Sequence, residues 1–349
     1  MRKLCTIMRH LSYLLLSMVV SLGFAEPHGL LHLDKSILKH YQSTTSTKTI
    51  QQHQSIDEEV NQLYQHLPQQ SGSTTVSRLN YFSQYYLNSP YILFPLGEGH
   101  PSQYDEMPRA RLDGFDCQTY VDTVLALTLA NNLNHFKKCL DKVRYHNGSV
   151  SFVTRNHFTS LDWNKNNQAN GYLEDITHTM TDQKKHPIVQ YASTEIDKAS
   201  WYQKLPLARI RVSSLTAEKQ IKRLKTLHIA GKKFKPEHAI VPYIPLNQLI
   251  DKKGQPRLYF LKQIPSGAII EIVRPHWQLK NIIGTDLDIS HLGFAFWKNN
   301  VLYFRQASSN AHKVIDIPLV TYLNEASKNP TIGGINIQII QAKTPLQSC

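Results

Sequence analysis

Several things are scarce or missing in this 349-residue chain, and each narrows what it can be. Beyond the N-terminus no apolar run approaches the ~18 residues needed to span a bilayer, so no stable membrane insertion is expected. Paired Cys-x-x-Cys spacing and a His-Glu-x-x-His segment are both missing, which argues against a zinc site; neither metal nor cofactor is expected. Zinc-finger spacing, an RNA-binding aromatic signature and a long basic run are absent too. The basic clusters Lys222, Arg223, Lys225 and Lys232, Lys233, Lys235 are broken by apolar residues, as on a solvated helix face. Nucleic acid is therefore not an expected partner. No tandem repeat is visible. Only four cysteines occur, too few for a disulfide-rich scaffold.

What is present reads as an exported globular chain. Arg2, Lys3 and Arg9 precede a short apolar stretch, Leu11 to Phe24, and small residues Gly23 and Ala25 lead up to Glu26. This is the layout of a secretory signal over residues 1–25, and it implies a periplasmic or secreted protein. Its loss removes three basic residues and no acidic one, taking the net charge from +13 to +10. A basic exported protein suits an acidic partner, and carboxylate-bearing cell wall fits that address. With 41% hydrophobic residues the mature chain can bury a sizeable core. Cys5 leaves with the signal, so Cys117, Cys139 and Cys349 remain. Two arrangements stand: a Cys139–Cys349 disulfide with Cys117 free, or three buried thiols.

Residues 26–75 form a polar leader with one helix, patterned by Ile56, Val60, Leu63 and Leu67 and stopped by Pro68. The main domain runs over 76–349, with 180–265 as an inserted segment of mixed signals. Within it, a helix is expected over Arg78 to Leu87, an extended piece over Tyr91 to Phe94, and an amphipathic helix from Cys117 to Leu133. Another helix should cover Leu133 to Val143. The alternation Ser149 to Thr154 predicts a strand after the Asn147-Gly148 turn. Strands are also expected at Ala268–Val273, Ile289–Trp297, Val301–Arg305 and Ile335–Ile340, with Asn299-Asn300 turning a hairpin. The fold class is α+β: helices carrying a Cys, then an antiparallel sheet.

The candidate chemistry starts from Cys117. A thiol at a helix N-terminus meets unpaired N–H groups and the positive end of the helix dipole, which favour the thiolate. A small core residue at a helix start is the bland alternative. The Cys needs a His held by a third group. His291 stands on a strand beside Gly293, which leaves room for a substrate backbone. Across the hairpin, the side-chain carbonyl of Gln306 can accept the second imidazole N–H. A structural strand histidine is the competing reading, since the chain has 17 histidines.

Taken in order, Ser89-Pro90-Tyr91, Asp113-Gly114-Phe115-Asp116-Cys117, Ser290-His291-Leu292-Gly293-Phe294 and Gln306-Ala307-Ser308 resemble the NlpC-type, papain-like cell-wall cysteine peptidases. The segments Val143 to Gly148 and Thr154-Arg155-Asn156-His157-Phe158, with Trp163 and Asn170-Gly171, resemble one branch, the N-acetylmuramoyl-L-alanine amidase-like group. The resemblance spans about Ser89 to Ile340 and implies a papain-like fold. It implies hydrolysis of the amide between muramic acid and L-Ala in peptidoglycan fragments (muropeptides), anhydro forms among them. Cys117 would be nucleophile, His291 base then acid, and Gln306 the orienter, where the family commonly has His. The family's acidic residue after a Gly is also missing, because Ala268 follows Gly267. Tyr91, Asp116, Arg155, His157 and Trp163 would line the substrate groove, with Arg155 pairing a substrate carboxylate; core packing or a structural ion pair explains the same residues. Two rivals share the scaffold: an endopeptidase cutting between D-Glu and the diamino acid, and a non-catalytic exported wall-binding or host-interaction protein.

Overall fold

In a computed structural model, residues 48–69 and 74–349 are described, the side chains of 48–55 excepted. The signal expected over 1–25 lies outside the described residues, as does much of the expected leader. The leader helix, α1 (Lys48–Gln65), buries Ile56, Val60 and Leu63 in the main core, and the Tyr64 hydroxyl donates to Leu127 O at 3.0 Å.

Three further helices follow: α2 (Thr75–Tyr85), α3 (Cys117–Leu129) and α4 (Leu133–Arg144). Helix α3 is the hub. All of its residues except Gln118 are buried. Its apolar side chains therefore leave water all around the axis, each Val or Leu contributing roughly 1.5–3 kcal/mol. The helix ends at Leu129, earlier than the expected Leu133, because Asn132 caps the start of α4 by accepting from His135 N at 2.9 Å.

The C-terminal part builds an antiparallel sheet from β1 (Leu173–Asp175), β2 (Gln190–Ile196), β3 (Glu237–Pro245), β4 (Ala268–Trp277), β5 (Leu287–Lys298), β6 (Val301–Ser308), β7 (Lys313–Pro318) and β8 (Gly334–Ile340). Its order is β2-β3-β8-β4-β5-β6-β7, with β1 also paired to β8. The β5–β6 hairpin turns at Asn299 and Asn300, whose φ of 47° and 63° match the left-handed pair such a tight turn requires. One sheet face presents Ile269, Leu292, Phe294 and Phe296 to α3. The other presents Ile270, Ile272, Ala295 and Phe304 to α7 (Leu319–Ala326, numbered after α5 and α6 below).

Segment 180–265 contributes β2 and β3 at one sheet edge, plus α5 (Lys198–Lys204) and α6 (Ala217–Gly231). Arg211 ties it back to the loop before α3, donating to Phe94 O (2.8 Å) and Leu96 O (3.1 Å) and pairing with Asp105. The strand expected over Ser149–Thr154 is a turn instead. There the Thr154 hydroxyl bonds back to Ser149 O, and Thr154 N to Ser151 O at 3.2 Å. Local hydroxyl–backbone bonds won over the alternation. Cys139 and Cys349 form a disulfide (Cα–Cα 5.0 Å) that fastens the C-terminal tail to α4, and Cys117 is the free cysteine among the described residues. No helix among the described residues is long and apolar enough to cross a membrane.

Candidate active site

Cys117 opens α3, and the helix start is built around it. Asp116 is the N-cap: its Oδ1 accepts from Thr119 N at 2.8 Å, and Thr119 Oγ1 accepts from Asp116 N at 3.0 Å, a reciprocal capping box. Asp116 Oδ2 accepts from Phe94 N at 3.2 Å. The carboxylate is thus fully engaged in holding the helix start and the preceding loop together.

The backbone N–H groups of Gln118, Leu292 and Cys117 itself lie near the sulfur and pull its pKa down. Burial, with the Asp116 charge beside it, nevertheless pushes the thiol up to about 12. In the resting protein it is an S–H group. The Leu292 contact places the sulfur next to the strand residue that follows His291.

His291 owes its orientation to a bulge. The β4–β5 register runs Ile272↔His291 and then Val273↔Ile289, so Ser290 is the extra residue on β5. A bulge of this kind re-aims the side chain next to it. The His291 Nε2 bonds Gln306 Oε1 across the hairpin. Because that oxygen can only accept, the imidazole carries its proton on Nε2 and leaves the Nδ1 lone pair free. Burial drives His291 down to about 4, against the upward pull of Gln306, so the ring is neutral near pH 7. Gly293 serves the neighbouring strand rather than a substrate backbone. A Cβ there would lie 2.6 Å from Arg305 O and 3.0 Å from Gln306 Cβ, closing the approach that brings Gln306 to the ring.

Tyr322 on α7 was not foreseen. Its ring stacks on His291 (centroids 6.0 Å, planes 19° apart). Its hydroxyl is pushed up by burial and by Cys117 nearby. The Thr321–Tyr322 segment shows only helical apolar spacing in the sequence, which gives no hint of the stacking.

Cys117 and His291 border one cavity of about 210 Å³, together with Asp116, Arg155, His157 and Trp163. The structure brings together these six sequence-derived residues. Tyr91 and Gln306 border a second hollow on the other side of His291, lined also by Ser308, Tyr322 and Glu325. The Tyr91 hydroxyl is pushed up by burial and by the nearby Cys117 and Asp116.

Several of the expected groove residues already have protein partners. Arg155 is clamped by Glu98, whose Oε1 accepts from its Nε at 2.8 Å, and by Asp105 at 3.0 Å, and it lies over the Phe152 ring. Those charges hold its guanidinium in the protonated form. His157 Nε2 bonds Phe152 O at 2.7 Å, and its ring packs on Trp201. Burial and the Arg155 charge keep that imidazole neutral. Trp163 is buried and donates to Asp122 Oδ1 at 2.8 Å. Phe94, with φ 51°, sits in a conformation rare for a non-glycine residue. Trp201, Arg209 and Trp277 complete the cavity wall, and the sequence pattern singled out none of them.

The His135, Cys139 and Cys349 grouping has metal-ligand chemistry on paper. Two of its three donors are joined in the disulfide, so the set cannot act as one.

A crystal structure of a Legionella pneumophila strain Philadelphia 1 protein, described with the DUF1460 family model, is 45% identical, with TM-score 0.82; the match covers 85% of this chain and 98% of that one. A crystal structure of an N-acetylmuramoyl-L-alanine amidase from Bacteroides uniformis ATCC 8492 is 26% identical, with TM-score 0.53, covering 78% of this chain and 100% of the other. No curated protein sequence matches the chain. The AmiA-like family model matches residues 81–332, from helix α2 to the loop before β8 and so across both Cys117 and His291; the chain belongs to this N-acetylmuramoyl-L-alanine amidase-like family.

Proposed function

We propose that this chain is an exported, papain-like cysteine amidase of the NlpC type, hydrolysing the amide between N-acetylmuramic acid and L-Ala in peptidoglycan fragments. The observation that carries the reading is that Cys117 borders the same cavity as His291, an imidazole fixed by Gln306. Family membership and the Bacteroides uniformis amidase support the substrate class. The N-terminal signal pattern supports export to the periplasm or beyond. Residues 1–25 would be the cleaved signal, 26–75 the leader, and 76–349 the amidase domain with its 180–265 insertion.

The chemistry follows from which group holds the proton. With the thiol raised and the imidazole lowered, the resting pair is neutral, so proton transfer accompanies attack. His291 Nδ1 takes the thiol proton as Sγ bonds to the lactyl carbonyl carbon. The resulting oxyanion is stabilised by backbone N–H groups at the helix start. The imidazolium, held by Gln306, gives the proton to the alanine nitrogen as the C–N bond breaks. The stem peptide leaves with a free amino terminus. Water, deprotonated by the same imidazole, then cleaves the thioester and restores the thiol. Tyr91 and Tyr322 flank the reacting sulfur. Asp116 fixes the helix start, and Arg155, His157 and Trp163 shape the groove.

Purified protein incubated with muropeptides should release intact stem peptide bearing an N-terminal L-Ala, detected by mass. Cys117→Ala should lose at least ~1000-fold in rate. Undiminished release by that variant removes the cysteine mechanism. Products cut between D-Glu and the diamino acid would point to the endopeptidase alternative.

A further inference from the structure

Four arginines lie at or beside the cavity, and they are not equivalent: Arg144 donates to Arg109 O at 2.8 Å and sits 3.9 Å from Asp122. Arg155 is held by Glu98 and Asp105, and Arg211 by Asp105 and two backbone carbonyls. Arg209 closes the short turn Leu207–Arg209 of the inserted segment and borders the cavity that holds Cys117. Among the described residues no ion pair or hydrogen bond engages its guanidinium. Instead it lies 4.0 Å from the Phe94 ring centroid. Phe94 holds its left-handed conformation while its N–H bonds Asp116, so one unusual backbone position both supports the helix start and sets a platform under Arg209.

Among the described residues, none of the acidic side chains bordering the same cavity pairs with Arg209, although Asp288 Oδ2 has no partner of its own. Asp116 caps α3, Asp122 accepts from Trp163 and Gln118, and Asp288 accepts from Ser160 at 2.6 Å. Burial, with the Arg211 and Arg155 guanidiniums nearby, lowers Arg209 to about 9 against the opposing charges of Asp105 and Asp116. Natural proteins keep such a charge where an anion will arrive.

We propose that Arg209 is the specificity-determining residue that binds a free carboxylate of the stem peptide, the α-carboxylate of the γ-linked D-Glu that follows L-Ala. The assignment moves the role expected of Arg155 to a residue whose guanidinium fork is still open. It rests on the amidase reading for the identity of the peptide, and its test is independent of turnover.

Calorimetry on the Cys117→Ala protein would compare muramyl tripeptide carrying the D-Glu carboxylate with its amide (D-isoglutamine) analogue. The acid should bind at least ~10-fold tighter, as expected for a charge-assisted pair in a desolvated site. Adding Arg209→Gln should erase the preference, leaving both ligands at the amide's affinity, while Arg209→Lys should retain part of it. Equal binding of acid and amide, no binding of either, or a preference that survives Arg209→Gln overturns the proposal. Melting curves check that the variants fold, and the acid–amide comparison on the Arg209-containing protein stands without them. Wild-type cleavage is assayed separately. Release of stem peptide without acid preference would sink this inference and spare the amidase reading; binding preference without release would do the converse.

Discussion

The two walls of the cavity are made in opposite ways. One is helix α3 and the β5–β6 hairpin, where the key polar contacts are local: Asp116 with Thr119 three residues on, His291 with Gln306 across one hairpin. The other is assembled from distant pieces, the loop over 94–111, the turn around Arg155 and the inserted segment, stitched by Arg155–Glu98, Arg155–Asp105 and Arg211–Asp105. The first wall holds the proposed nucleophile and base. The second places charge, and its geometry depends on Asp105, buried and accepting from two arginines at once. On the proposed reading, the scaffold keeps its chemistry local and leaves recognition to long-range ion pairs.

The sharpest way to break that contrast is at the stitched wall. Arg155→Ala would leave Glu98 and Asp105 short of a cation in a buried setting, and removing one partner of such a network costs about 3–5 kcal/mol. A melting temperature lowered by several degrees in thermal denaturation is the expected outcome. An unchanged one would mean that the wall does not rely on these pairs.

At the reacting wall, Gln306→Leu should cost less stability and more rate. The variant loses the acceptor that orients the imidazole and steadies its charge, so kcat should fall about 10–100-fold. Gln306 raises the His291 pKa, so its removal should move the acid limb of kcat/KM to lower pH, not higher. In the wild type that limb should come well below the usual histidine range, towards about pH 4. A wild-type limb near 6.5 would show that the ring is charged more easily than its burial implies.

The smallest effect probes the sheet beneath. Glu271 pairs opposite Leu292 on β4, is buried, and accepts from Asn164 Nδ2 at 3.0 Å. Burial, with Asp175 and Asp288 adding negative charge, raises it to about 8. The folded chain therefore keeps this proton while the unfolded chain loses it, and stability present below about pH 4.5 declines as pH rises towards 8. Glu271→Gln should abolish that decline, gaining on the order of 1–3 kcal/mol at pH 9 in urea titrations while matching the wild type near pH 5. Parallel curves at both pH values would show that Glu271 ionises without penalty.

Much of the reacting wall was legible in the chain itself. Helix α3 shows in the spacing of Tyr120, Val121, Val124 and Leu125, and the hairpin shows in alternation and the Asn-Asn turn, because both signals are local and periodic. Face assignment on β5 followed from the two-residue strand period, which put Leu292, Phe294 and Phe296 together against α3. Ser149–Thr154 went the other way. Its alternation implied a strand, yet hydroxyls bonding their own backbone made a turn, a competition that apolar patterning does not register.

Composition and order alone determined that a free thiol would open a buried helix and that an imidazole with an amide partner would sit on a late hairpin, since capping, periodicity and turn chemistry act over a few residues. Tertiary structure decided everything that depends on distant charges and on how closely strands approach. It joined Cys139 to Cys349, re-aimed His291 through the Ser290 bulge, and gave Gly293 to strand packing. It also tied Arg155 to Glu98 and Asp105 while leaving Arg209 open on Phe94. Which of two arginines meets a carboxylate first is set by separation in space, and separation along the chain carries no trace of it.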